Sequence, residues 1–161
     1  MNNLVAKALD AIDVTYDDLI GIANDTTKEC IGDLDEMMEL AYRDIELLSN
    51  DAIRDLMLRL ALRSYSFSEI KEKSQFKAAL GETLRKEQYA QNFNKSDGTV
   101  AVRENKAIID TSSEILAEEI YSLVAATFKS KVDETHRVVD VLKTVLMSRL
   151  SEAKLSSVDT E

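Results

Sequence analysis

The sequence predicts an all-α fold: a helical hairpin or bundle with a long C-terminal helix, assembled into oligomers. Three observations carry that expectation. The 161 residues hold no Pro, no Trp and only 4 Gly, whereas a sandwich or barrel needs turn punctuation roughly every 8–12 residues. Apolar residues recur at steps of three and four over long stretches, the period of a helix with one buried face. Turn formers concentrate in one place, Asn94-Lys95-Ser96-Asp97-Gly98-Thr99, which would join two helices into an antiparallel hairpin. A chain of this length is one domain's worth, able to bury a helical core without disulfides or a structural metal.

The N-terminal stretch before Asp33 has weaker apolar spacing (Leu4, Val5, Ala8, Leu9, Ile12, then Leu19, Ile20, Ile22) and reads as two short helices. Leu34, Met37, Met38, Ala41, Tyr42, Ile45 and Leu48 then form an amphipathic stripe with acidic residues opposite. Ser49-Asn50-Asp51 offers N-cap chemistry, so a break is expected near residue 49, followed by a stripe of Ile53, Leu56, Met57, Leu60 and Ala61. Ser66 and Glu69 have capping-box spacing, which predicts a new, polar helix running to about Phe93 with Gly81 as an interior weak point. Beyond the loop a helix begins near Thr99 or Val100, and Asp110-Thr111-Ser112-Ser113-Glu114 interrupts and recaps the chain. The last helix carries Val132, Thr135, Val139, Leu142, Leu146 and Arg149 in alternating steps of three and four, widened by Val138, Val141, Val145 and Leu150. That stripe, represented by Val132, Val139, Leu142 and Leu146, is the expected oligomer interface, because it is broader than one short hairpin readily covers. The expected division is an acidic helical region over 1–64, a hairpin and oligomerisation core over 65–154 and a frayed tail over 155–161. No internal repeat or low-complexity tract is present.

Charge is distributed unevenly. The net formal charge is −10, which disfavours phosphate binding if it is spread uniformly. Residues 1–50 carry 3 basic and 12 acidic side chains, residues 51–110 carry 11 and 9, and residues 111–161 carry 6 and 9. Between Lys71 and Lys106 there are 8 basic side chains (Lys71, Lys73, Lys77, Arg85, Lys86, Lys95, Arg103, Lys106) against 5 acidic ones. This window is the candidate anion-facing surface; its alternative is a solvated face of mixed charge. Within it Arg85, Tyr89 and Phe93 stand at i, i+4 and i+8, with Lys86 alongside. Cations that track a backbone beside rings that stack on bases suit single-stranded nucleic acid. In the competing reading the two rings pack on the helix after the loop, and the cations only solubilise.

Chemistry of other kinds is sparse. One histidine and one cysteine cannot build a Cys/His zinc site or an internal disulfide. His136, amid helix formers in Glu134-Thr135-His136-Arg137, reads as a partly exposed helix histidine rather than a base, and Cys30 beside Glu29 lacks the cations that would stabilise a thiolate. Asp17-Asp18 and Asp33-x-Asp35-Glu36 lack the ordered spacing and turn glycine of a calcium loop. No glycine-rich phosphate loop is present. No catalytic residue, metal or cofactor is expected. No window holds 18 uninterrupted apolar residues, and residues 1–18 carry one Lys against four Asp, unlike a signal peptide; a cytoplasmic protein without membrane contact is the expectation.

The order of features (a polar basic helix from Phe76 to Phe93, a glycine-containing polar loop, Val102-Arg103-Glu104-Asn105-Lys106-Ala107, a capped break at Asp110-Thr111, and an apolar helix ending Val141-Leu142-Lys143-Thr144-Val145-Leu146) resembles the UvsY-type recombination mediators of T-even-like bacteriophages over residues 65–154. The resemblance implies a ring-forming helical protein of the phage-infected bacterial cytoplasm that binds single-stranded DNA and helps a recombinase displace single-strand-binding protein. Its nucleic-acid contacts would fall near Arg85 and Lys86, within the set Lys77, Arg85, Lys86, Tyr89, Phe93, Lys95, Arg103 and Lys106. The acidic extension over 1–64 and the strongly acidic composition depart from that family. They support two alternatives: an acidic interaction protein whose carboxylates imitate phosphates for a basic nucleic-acid-processing or defence enzyme, and an oligomeric phage packaging adaptor.

Overall fold

A computed structural model describes residues 3–158 of the chain, and the side chains of 4–155. The described residues form five α-helices and no strands: α1 Asn3–Ile12, α2 Tyr16–Asp44, α3 Asn50–Lys95, α4 Val100–Asp110 and α5 Ser112–Val158. The predicted all-α class with a long C-terminal helix is what the structure shows, α5 being 47 residues long. Three helix boundaries differ from expectation. The second helix does not stop before Asp33 but continues for 29 residues to Asp44. Ser66 opens no new helix: α3 is continuous for 46 residues, and the Ser66 hydroxyl donates to the Leu62 carbonyl one turn back, so the side chain that could cap instead rides on an intact helix. The tail expected to fray from 155 is helical through Val158, and 159–161 lie outside the described residues.

The connections follow local chemistry. Between α1 and α2, Asp13 takes a left-handed φ of 54°, a conformation Asp tolerates better than most residues. Thr15 and Asp18 then close a reciprocal cap. The Thr15 amide and hydroxyl donate to Asp18 Oδ2 at 2.9 and 2.6 Å, and the Asp18 amide donates to Thr15 Oγ1 at 3.2 Å. Between α2 and α3, Ser49 Oγ accepts from the Ala52 amide at 3.2 Å, as its N-cap chemistry predicts. In the 96–99 loop Gly98 has φ +119°, and a Cβ there would meet Val102 at 3.2 Å, so glycine is required on both counts. At the α4–α5 break Thr111 Oγ1 donates to the Ala107 carbonyl at 2.7 Å while the Ile115 amide donates to the Thr111 carbonyl, which ends one helix and starts the next.

The helices contribute to two compact units, one of residues 1–27 and 70–128, the other of 28–69 and 129–161. The expected boundary at 64/65 falls inside α3, and each unit takes segments from both sides of it. In the first unit Val5, Ala8 and Leu9 of α1, Leu19 of α2, Ile108 of α4, and Ile115 and Leu116 of α5 form a buried cluster against which Val14, Tyr16, Tyr89 and Leu123 pack. Gly81 of α3 and Glu118 of α5 approach closely, since a Cβ at Gly81 would sit 3.7 Å from the Glu118 Cα.

The second unit brings together α2 (Ile31, Leu34, Met38, Ala41), α3 (Ile53, Leu56, Leu60, Phe67) and α5 (Val132, Val138, Leu142, Leu146), all buried. Polar cross-links fix their register: Arg63 to Asp33 at 2.8 Å, Lys131 to Asp35 at 2.9 Å, and Thr135 beside the Met38 sulfur at 3.8 Å. Arg149 of α5 donates to the carbonyls of Ile45, Glu46 and Leu48 at 2.9, 3.1 and 2.6 Å, so a guanidinium fills the turn just beyond α2, where carbonyls lack helical partners. The C-terminal stripe expected to meet a second copy is therefore used within the chain. Leu142 is fully buried, Val132 and Leu146 are buried and Val139 is half-buried, because residues 28–44 and 50–69 supply the apolar faces that a lone hairpin would lack.

Candidate nucleic-acid and partner surfaces

The candidate nucleic-acid residues lie in the first unit, on α3 and α4. Most of them are engaged there. Arg85 Nε donates to Glu118 Oε2 at 2.6 Å, with the arginine side chain only 15% exposed. This distance is that of a charge-assisted bond, and it points the guanidinium across to α5. Tyr89 lies against the apolar cluster and stacks with Phe93, ring centroids 6.4 Å apart and planes 16° from parallel. The Arg103 guanidinium sits 4.1 Å from the Phe93 ring centroid and donates to the Phe93 carbonyl at 3.0 Å. Lys77 Nζ lies 5.1 Å from the Tyr121 ring. The two rings of the i, i+4, i+8 strip pack inward, fastening α3 to α4 and the core, while Arg85, its first residue, neither faces outward nor merely solubilises but fastens α3 to α5. Lys86 is exposed and reaches Glu82 at 2.6 Å; that ammonium, chiefly by its hydrogen bond, holds the Glu82 carboxyl below its ordinary range. Lys95 and Lys106 are exposed.

Acidic side chains of the same unit face solvent differently. Asp10, Asp13, Asp17, Asp18 and Asp25 are all exposed and make no ion pair. Asp18 is held below the ordinary aspartate range by its hydrogen bonds from Thr15; as its folded value is depressed, that cap contributes stability above the ordinary aspartate range and loses it as pH falls through the folded value. The remaining four carboxylates are uncommitted. No sequence signal short of the helix assignments themselves could have separated engaged cations from free carboxylates, since both sets are simply charges on polar helices.

In the second unit Ser64 Oγ and His136 Nε2 stand 3.2 Å apart. Ser64 is buried and His136 exposed, and the contact links α3 to α5. An open groove of about 840 Å³ runs between α2 and α3, lined by Met37, Leu40 and Leu62 with Asp33, Glu36, Glu39, Arg43, Arg59, Arg63 and Ser66 around them. Among the described residues no group of three or more His, Cys, Asp or Glu is placed to hold a metal ion, and no described helix is long and apolar enough to cross a membrane. No family model, curated protein or solved structure matches this chain.

Proposed function

We propose that the protein is an acidic helical interaction protein that offers carboxylates in place of phosphates to a basic, nucleic-acid-processing partner. One observation carries this reading: in the first unit the aspartates of α1, the following turn and the start of α2 project into solvent unpaired, whereas Arg85, Arg103 and Lys77 of the basic window are engaged by Glu118, Phe93 and Tyr121. An excess of free negative charge on a helical frame steers and orients an oppositely charged partner. A second reading keeps the mediator resemblance, with single-stranded DNA, a recombinase and single-strand-binding protein as partners; it draws support from the ammonium groups of Lys86, Lys95 and Lys106, which reach solvent on α3 and α4. Parallel titrations of a labelled single-stranded oligonucleotide and a labelled Arg/Lys-rich peptide, at low and moderate salt, separate the two. The first reading predicts salt-sensitive peptide binding without oligonucleotide binding; the second predicts the reverse.

A further inference from the structure

The groove between α2 and α3 in the second unit has an apolar floor and two rims of opposite charge. Leu62 is 63% exposed and Leu40 38%, and on the same face of α3 Leu58 and Tyr65 are 60% and 80% exposed. Large apolar side chains clustered on a helix face and bordered by charge mark a protein-binding surface. The α2 rim carries Asp33, Glu36 and Glu39 together with Arg43, whose guanidinium is engaged by Asp44 at 3.2 Å and Glu39 at 4.0 Å, and the α3 rim carries Arg59 and Arg63. Only part of this charge is satisfied across the groove: Arg63 bonds Asp33, Arg59 reaches no nearer than 3.9 Å to Asp55 on its own helix, in an exposed pair, and Glu36 has no ion-pair partner.

From this pattern we infer that the α2–α3 face is a homodimer interface, covered by the same face of a second copy. A surface with an acidic rim, an apolar floor and a basic rim is complementary to itself under one kind of two-fold rotation. If the axis runs parallel to the helices, each α2 lies opposite the partner's α3, so carboxylates meet guanidiniums and the leucines and Tyr65 close over one another. An axis across the helices would set α2 on α2 and repel. Two-fold assembly is the commonest way for a chain to cover such a patch, and the bundle formed is an ordinary four-helix packing. The inference is independent of the proposed function, whose aspartates lie in the other unit. It replaces the buried α5 stripe with an exposed face as the assembly surface.

Sedimentation equilibrium of the full chain from 1 to about 100 μM, with circular dichroism beside it, tests this. Wild type is expected to be dimeric. Leu62→Glu is expected to weaken the dimer at least tenfold with unchanged helicity, since Leu62 is exposed and supports no core. Arg59→Glu and the pair Glu36→Lys with Glu39→Lys are each expected to dissociate it, and an equimolar mixture of these two proteins to recover a heterodimer, because each restores the charge its partner lost. A monomeric wild type throughout the range overturns the inference and leaves the groove to a different protein. So does an oligomer that Leu62→Glu leaves intact, or a mixture that stays monomeric.

Discussion

Arg85 of α3 and Glu118 of α5 are joined by a 2.6 Å hydrogen bond between largely buried charged groups. That contact lies one turn from Gly81, where a Cβ would make ordinary van der Waals contact with Glu118 at 3.7 Å, and it turns the most conspicuous cation of the basic window into a structural one.

Arg85→Ala should therefore destabilise the fold by about 1–3 kcal/mol, because it strands the Glu118 carboxylate in a half-buried site. Lys86→Ala should change stability by less than about 1 kcal/mol, since its pair with Glu82 is exposed. Urea unfolding of both single variants, and of Arg85→Ala with Glu118→Ala, measures this; the double variant should be more stable than the sum of the singles allows. If any oligonucleotide binding is detected, Lys86, Lys95 and Lys106 should govern its salt dependence, and Arg85 should not.

Much of this architecture is legible in the residues. The break at Ser49, the loop around Gly98 and the recapping at Thr111 each rest on a side chain or a φ angle that only certain residues supply, so local chemistry dictates them. Ser66 misleads because capping-box spacing permits a helix start without compelling one: nothing before it ends the preceding helix, and a hydroxyl inside a helix finds a carbonyl one turn back. At Thr15 and Asp18 the same three-residue spacing does open a helix, because the left-handed Asp13 has already ended α1. The α5 stripe identifies a buried face correctly, yet periodicity cannot say whether a face is buried by the same chain or another. Nor does spacing reveal that Arg85 meets Glu118, which lies 33 residues away.

Arg149 gives the clearest long-range anchor, closing the end of α2 from 101 to 104 residues away. Arg149→Ala should lower stability by about 2 kcal/mol, the scale of lost charge-assisted bonds to carbonyls. Arg149→Lys should recover only part of it, because one ammonium cannot reproduce the planar fork that reaches three acceptors. Thermal and urea denaturation provide the comparison.

Leu142→Ala should cost about 2–5 kcal/mol by opening a cavity among α2, α3 and α5. As Leu142 is fully buried within one chain, this loss should not depend on protein concentration. A concentration-dependent loss would return the α5 stripe to an intermolecular role.

Lys131 predicts an alkaline limb. Burial pulls its pKa down, but hydrogen bonds to Asp35 and Glu134 outweigh that and raise it above the ordinary lysine value. A raised folded pKa means that the stabilisation is complete below the unfolded value and disappears as pH climbs through the folded one. Wild type should thus lose its advantage over Lys131→Met only above the ordinary lysine range, by no more than about 1 kcal/mol given solvent screening. Paired denaturation curves between neutral and strongly alkaline pH read out the difference.

Charge-matched variants distinguish a partner-binding surface made of the unpaired aspartates of the first unit from attraction by net charge alone. One variant changes Asp10, Asp13, Asp17 and Asp25 to Asn; the other changes Asp97, Asp133 and Asp140 to Asn and Glu104 to Gln. Both remove four charges, and both spare the Asp18 cap. Fluorescence anisotropy with a labelled Arg/Lys-rich peptide, at two salt concentrations, should show at least tenfold weaker binding by the first variant and little change in the second. Equal weakening by both would reduce the attraction to net charge alone, and tight binding of a labelled single-stranded oligonucleotide by wild type with no peptide binding would contradict the account.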